Sequence, residues 1–596
     1  MATKPWTPGT VIDSAWLNDV DAIVYEGKRD DGTLGSEIDL YTSDIPLGAF
    51  RTVSEKLKES VSAYDAGAIG DGVTDDTAAL KRLFDYCIPN KVTAVLKGTY
   101  KVSGLICTNG LLSSGGLYIE CDGDVTINMT GTALAGSSML MCYTSTPCSA
   151  SISGGRLILN LDNKMANGIY IRHDAATDGG TVNFGPVTIT NAKETNASST
   201  TENQGILVYG RFVDVNIKSP IIKDVDRTNT SGGACKGISV SEIVGQVTIE
   251  SPTVERVKCT GGSADADGIS IFGLQLNGVY GWRAGTAQIY DPVFKDCQGR
   301  SFKAQVSEAS LYRPRVFRKD VVSISTADID FQVGNGLVLE PFFEYRLNGT
   351  TSPLHPGFFP ISIQQQSTDR PNRAIVKGGV LRSEVAVPRV VYLTVGANAL
   401  DGEVCFDGLS LLPLGSLSTS LVSRAFLEFN AAQVAASVGK THIEIKNNRG
   451  NMSGYPLVGY TDYGSSVASK LSFDIKGNTN TGPLAANSRV FAAVSGSAIP
   501  QVLSFALSDN VGFVDLFTSW TFSMANIPVG TRFTIDIGSC TVTNPPGWGT
   551  SGVALVEGLS MYSNTSRSVR VTKDHANTTN TVFYTGNGGT TWGTIK

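Results

Sequence analysis

The chain has 596 residues, enough for several domains with large buried cores. Its 48 Lys plus Arg against 54 Asp plus Glu leave a net charge of −6, and this balance excludes nucleic acid as the main partner, because phosphate binding needs concentrated positive charge. Only 17% of residues are charged while glycine numbers 65, which excludes long charged helices and coiled coils and points to a β-rich chain with many turns.

The opening residues, MATKPWTPGT, are polar and hold no apolar run of the kind a secretory signal needs. Nowhere do ~18 apolar residues run together, so no membrane insertion is expected. Residues 74–88 predict a helix: Leu80, Leu83, Phe84 and Cys87 fall at i, i+3, i+4 and i+7 and form one apolar stripe. Asp71, Asp75 and Asp76 are placed to meet the positive end of its dipole. The ten cysteines contain no CxxC pair and stand in apolar contexts, which predicts buried, reduced thiols. No metal site and no cofactor are expected, since neither clustered ligands nor a nucleotide-binding glycine loop occurs.

Two interleaved repeats occupy the middle of the chain. The first is an apolar residue followed two positions later by X-Pro: Ile217 to Pro220, Ile249 to Pro252, Ile289 to Pro292, Leu311 to Pro314 and Val338 to Pro341, with prolines 32, 40, 22 and 27 residues apart. The second is a glycine-led strand at Gly168, Gly205, Gly237 and Gly268, with a degenerate copy at Ser301. Periods of 20–50 residues signal a solenoid, and these units hold alternating strands with no ten-residue helical pattern. A parallel β-helix follows, in which Ile169, Ile206, Ile238, Ile269 and Phe302 form one inward ladder and Val225, Val257 and Cys297 another. A solenoid exposes its terminal coils, and the helix near residue 80 is expected to cover the first. Residues 477–483 (GNTNTGP) read as a linker, and the alternating segments beyond as a compact β-sandwich.

The stretch 61–80, VSAYDAGAIGDGVTDDTAAL, closely resembles the opening of pectate-lyase-like β-helix proteins, in particular bacteriophage tailspike depolymerases. Residues 10–20, TVIDSAWLNDV, are similar to short adapters that fix such spikes to the virion. The resemblance implies a homotrimer that attaches to the phage tail, or to another tailspike, through its N-terminal segment and that binds and cleaves bacterial capsular polysaccharide. It also implies synthesis in the host cytoplasm, in keeping with reduced cysteines. The expected architecture is all-β: a right-handed single-stranded parallel β-helix with a short N-terminal adapter (1–60), a capped and catalytic helix body (61–476) and a C-terminal β-sandwich for trimerisation or carbohydrate binding (484–596).

Aligning the glycine-led strands predicts a ledge. Asn167, Gln204, Lys236, Asp267 and Arg300 precede the strands; Tyr170, Leu207, Ser239, Ser270 and Lys303 point outward; Arg172, Tyr209, Ser241, Phe272 and Gln305 lie one pleat further. Rings, cations and amides together suit a sugar chain, although the same face also reads as an ordinary solvated wall. Glycoside hydrolysis needs two carboxyl groups, and coils about 4.8 Å apart supply either of the required separations. Asp265 and Asp267 form the favoured pair, next to Arg300, with Glu308 a third candidate; the alternative is a turn whose carboxylates pair with Lys236 or Arg300. Arg300, Lys303, Gln305 and Arg172 are candidate substrate contacts. The insertion at 274–285 adds Tyr280, Trp282 and Arg283 as a sugar platform or a subunit contact. Elimination from a uronate-containing capsule, with the cations Arg300, Lys303, Arg313 and Arg315 at hand, and a non-catalytic receptor-binding adhesin remain the alternatives to hydrolysis.

Overall fold

The structure is a computed structural model that describes residues 59–194, 202–228, 233–260, 265–276, 283–365, 372–395, 401–415, 420–430, 440–461 and 470–483, with further strand segments outside these spans, several by backbone alone. The helix α1 (Thr77–Asn90) buries Ala79, Leu80, Leu83, Phe84, Cys87 and Ile88, so the apolar stripe read from the sequence is its packed face. It lies against the first strands of the body, Thr93–Leu96 and Gly116–Cys121. The carboxylates before it do different work from the dipole pairing expected. Asp76 accepts the Ile69 and Gly70 amides at 2.7 and 3.1 Å, and Asp71 accepts those of Val73 and Thr74, so they tie down the preceding loop. Only Asp75 reaches the first helical turn, accepting the Thr77 amide at 3.0 Å.

Beyond α1 the chain winds in coils of three strands, each strand pairing in parallel with its counterpart one coil later. One face is built from β1 (Met165–His173), β2 (Asn203–Tyr209), β3 (Cys235–Ile243), β4 (Ala266–Gly273), β5 (Phe302–Tyr312) and β6 (Ala327–Leu339). Their register aligns Ile169, Ile206, Ile238, Ile269, Phe302 and Ile329, all fully buried, as the predicted ladder. Val225 and Val257 align on another face, and Cys297 is buried close by, its thiol near the Val254 carbonyl. Each such side chain contributes roughly 1.5–3 kcal/mol by leaving water. Of the nine cysteines among the described residues all are unpaired; eight are buried and Cys405 half-buried.

Both repeats have a backbone cause. Ser219, Ser251, Asp291, Arg313 and Glu340, each just before a proline of the first repeat, adopt φ of +47° to +52°. Each donates its amide to a carbonyl of the next coil at 2.7–2.9 Å, which holds a corner that would otherwise be strained. The following proline has no N–H to satisfy there, and its carbonyl accepts from the next coil instead, as Pro220 does from Thr253 at 2.8 Å. The glycines of the second repeat answer to space. A Cβ on Gly205, Gly237 or Gly268 would stand 2.5–2.6 Å from the backbone oxygen of the coil above and would strike Ile222, Val254 or Phe294 of the core.

The coils continue past the segment read as a linker. Thr479–Asn480 pairs with Arg449–Gly450, and Asn448, Asn478 and Asn510 stack as a fully buried amide ladder, with Asn448 Nδ2 donating to Asn478 Oδ1 at 3.0 Å and Asn478 Nδ2 to Asn510 Oδ1 at 2.9 Å. Residues 477–483 are therefore a corner and strand of a coil. Parallel pairing runs on through Arg489–Ser495, Val502–Ser508 and Arg532–Val542. Longer antiparallel strands belong to this C-terminal region: Arg532–Val542 with Gly552–Tyr562, and a four-stranded sheet of Trp520–Ser523, Ser568–Lys573, Asn580–Thr585 and Gly593–Ile595; near the other end Leu40–Tyr41 pairs antiparallel with Arg51–Thr52. The face-to-face packing that a sandwich requires falls on side chains outside the described residues, as does nearly all of the adapter at 1–60.

Gly237→Ala should destabilise the body by about 1–3 kcal/mol, because both the Gly268 carbonyl and Val254 must give way. Denaturant unfolding of the two proteins checks this, and equal midpoints would contradict it.

Candidate functional site

The ledge begins with a buried support beneath it. Arg318 and Asp328 are both fully buried and paired at 2.5 Å, and Asp328 also accepts Ser301 Oγ at 2.7 Å and Tyr345 Oη at 2.9 Å. Arg318 donates to the carbonyls of Cys297 and of Gly299, the latter at 2.7 Å. It thereby fixes the backbone that presents Arg300. Sequence reading passed over this pair, since neither residue lies in a repeat position that predicts an interior charge.

On that support Arg300 gathers three carboxylates from the coils on either side of it. Its Nε donates to Asp330 at 2.8 Å, and its Nη1 stands 2.9 Å from Asp265 and 3.5 Å from Asp267. Its backbone amide donates to Asp267 Oδ1 at 3.0 Å, while Ser270 Oγ donates to Asp267 Oδ2 at 3.1 Å. Lys303 reaches the other oxygen of Asp265 at 3.1 Å. Asp330 in turn accepts from Gln332 at 2.8 Å and Gln364 at 3.1 Å, and Gln305 donates to Gln332.

Access separates these acids. The Asp265 side chain is 44% exposed, Asp330 is 2% and Asp267 is 0%. Burial pushes the Asp267 carboxyl up, with the Asp265 charge adding to the rise and Arg300 opposing it. Partial burial also works upward on Asp265, but Lys303 and Arg300 outweigh it and hold its carboxyl below the usual range. Arg300 loses from burial yet is held more firmly protonated by Asp267, Asp330 and Asp265.

A second carboxylate of similar access lies on the same line. Glu202 stands three residues before Gly205, as Asp265 stands three before Gly268, and β2, β3 and β4 keep that register over two coils. Glu202 is 43% exposed and accepts Lys236 Nζ at 2.9 Å and Gln204 Nε2 at 2.6 Å. Lys236 and Lys303 each stand 5.4 Å from the centre of the Phe272 ring, one on the side of Glu202 and one on that of Asp265. The offset from the glycine was the signal that could have found Glu202. Near it the buried Gln204 Oε1 and Ser239 Oγ meet no hydrogen-bond partner.

Other expected residues fall elsewhere. Glu308 is exposed on the next face, in register with Thr286 and Asn335, and the ledge register does not include it. Arg172 lies three coils below Phe272, its guanidinium 4.7 Å from both the Tyr143 and Tyr209 rings and bonded to Asp174 at 2.8 Å. Tyr280 and Trp282 lie outside the described residues; Arg283 turns back to the Gly273 carbonyl at 3.2 Å. No group of three or more metal-ligating side chains occurs among the described residues. Likewise no described helix is long and apolar enough to cross a membrane.

Coils of this kind define a single-stranded parallel β-helix protein, and within that class the chain resembles phage tail spikes. The tail spike protein of Shigella phage Sf6 is 28% identical over 156 residues, covering 25% of this chain and 24% of that one, so the match spans about a quarter of the relative's length. Among solved structures, the Pseudomonas phage phi297 tailspike gp61 aligns at 11% identity over 87% of this chain and 91% of its own, with a TM-score of 0.42. The Dettilon tailspike gp208 aligns at 15% identity over 96% and 83%, with a TM-score of 0.34. No protein-family profile matches the chain.

Two stability predictions of opposite sign follow from the split acids. A lowered folded pKa means that Asp265 stabilises the protein above about pH 4 and that this contribution fades as acidification passes through the folded value. Asp265→Asn should therefore lower unfolding midpoints at pH 7 and converge with the parent in acid. For Asp267 the shift is upward, so its ionisation works against folding above about pH 4. Asp267→Asn, whose amide mimics the neutral acid, should be tolerated at pH 7. Equal losses in both variants at pH 7 would contradict the assignment. Arg318→Met, which strands Asp328, should cost about 3–5 kcal/mol in the same measurement.

Proposed function

We propose that the chain is a phage tail spike that depolymerises a bacterial surface polysaccharide by hydrolysis at the Arg300 ledge. The observation that carries this is the placement of two solvent-reached carboxylates, Asp265 and Glu202, in one register two coils apart. Two coil rises are roughly 9.5 Å, at the upper end of the range in which one carboxyl protonates the leaving oxygen and the other activates water. Asp265, held ionised by Lys303 and Arg300, takes the water-activating role, and Glu202 is the second carboxyl of the pair. Asp267 and Asp330, buried against Arg300, are positioning residues. The Phe272 ring, near the lysine partners of both carboxylates, offers a flat face for a sugar. Gln305, one coil above Phe272, and Arg172, three coils below it, contact sugars further along the polymer, and Glu308 on the next face takes no part at the ledge.

Elimination is the second reading, favoured by Lys236 and Lys303 over the same ring, which suit a uronate carboxylate. Against it, each lysine already has a carboxylate partner at 2.9 or 3.1 Å. The whole-particle role belongs to the same proposal: attachment through residues 1–60, a homotrimeric spike in the virion, synthesis in the host cytoplasm, and a C-terminal region from about 484 that trimerises or binds carbohydrate.

Incubation of capsule preparations with the purified full chain tests the chemistry. New reducing ends without unsaturated uronates are expected; ultraviolet-absorbing unsaturated ends would establish elimination, and intact polymer would leave an adhesin. Asp265→Asn and Glu202→Gln should each lower turnover by about 10²–10⁴-fold, and Asp267→Asn by about tenfold at most. Unchanged turnover in Glu202→Gln would remove it from the site.

A further inference from the structure

A second polar cleft, of about 520 Å³, lies at the next corner of the coil and is lined by Asn335, Asn372, Arg373, Asp401, Glu403 and His442 among others. Its size suits a small organic ligand rather than a lone ion or water. The register that builds it runs through Asn335, Arg373, Glu403 and His442 in successive coils, the same stacking that makes the ledge.

The charges in this cleft are largely spent on one another. Arg373 pairs with Glu403 at 3.1 Å, and its amide donates to Asn335 Oδ1 at 2.7 Å. His442 Nδ1 shares a hydrogen bond of 2.8 Å with Ser472 Oγ. The described lining holds no lysine and its one arginine is already paired, so it offers an anion no ready partner. The unusual member is Asn372. It is 3% exposed, lines the cleft, and neither its carboxamide oxygen nor its nitrogen meets a hydrogen-bond partner. An orphaned amide costs roughly 1–3 kcal/mol and is found where a ligand or water completes it. One free donor beside one free acceptor matches a pair of neighbouring hydroxyls.

We infer that this cleft is an accessory binding site for a neutral, hydroxyl-rich sugar residue, read chiefly by Asn372. The inference rests on the proposal that the chain acts on polysaccharide, and it deepens it: Asp330 of the ledge and Asn335 of the cleft lie five residues apart on β6, at most about 16 Å along the strand. One glycan could therefore occupy both, with its uncharged residues selected away from the cutting point.

The test uses the full chain against a printed panel of neutral and uronate-bearing bacterial oligosaccharides. The parent should bind at least one neutral glycan, whereas Asn372→Leu and the isosteric Asn372→Asp should lose on the order of tenfold or more in affinity for it. A thermal melt equal to that of the parent guards against loss through misfolding. No neutral glycan bound, or undiminished binding by both Asn372 variants, would overturn the inference. Failure of the ledge reading looks different: Asp265→Asn would then cleave polymer like the parent, while the panel result at Asn372 stood.

Discussion

Close approach of one coil to the next governs this molecule. Gly168, Gly205, Gly237 and Gly268 bring the backbone of each coil so near the one above that a single added carbon would meet a carbonyl oxygen at 2.5–2.7 Å. With the glycines in line, the apolar residues that follow them fall into a buried ladder and the residues before them fall into a polar row. A slip of one residue in any coil would turn its apolar side chains to solvent and its acids into the core. The ledge is thus a consequence of packing, since the same spacing that buries Ile238 on Ile269 sets Lys236 beside Asp267.

Electrostatics then sort chemically identical side chains. Asp265, Asp267 and Asp330 all touch one guanidinium, yet only Asp265 meets water and a second cation. The buried pair Arg318–Asp328 carries no access to solvent and acts through the carbonyls of Cys297 and Gly299. Its cost in desolvation is offset by hydrogen bonds from Ser301 and Tyr345, and what it supplies is a fixed backbone under Arg300. Position in the coil decides which acid meets solvent and which is sealed against Arg300.

Much of this was legible in the sequence because solenoid repeats write register directly into spacing. The glycine ladder, the X-Pro corner, the capping helix and the order Asn167, Gln204, Lys236, Asp267 across the ledge all follow from counting residues. Burial was less legible. Asp265 and Asp267 are two positions apart at the start of β4, and only the third dimension shows one open and the other sealed. Glu202 is among the acids of the loops that feed the ledge, but counting alone favours two acids in one loop over two acids in one register. Residues 477–483 carried every mark of a linker, yet the asparagine at 478 is spent on an internal amide ladder with Asn448 and Asn510. Composition alone cannot separate a polar turn from a buried polar stack.

A crystal structure of the full chain soaked with the oligosaccharides it releases tests the account most directly. A sugar ring should lie over Phe272 within reach of Glu202 and Asp265, with Arg300 bridging Asp265 and Asp330 and the ladder from Ile169 to Ile329 pointing inward in a single row. A ligand bound away from that ring, or a coil offset by one residue so that Ile269 faces solvent, would contradict it.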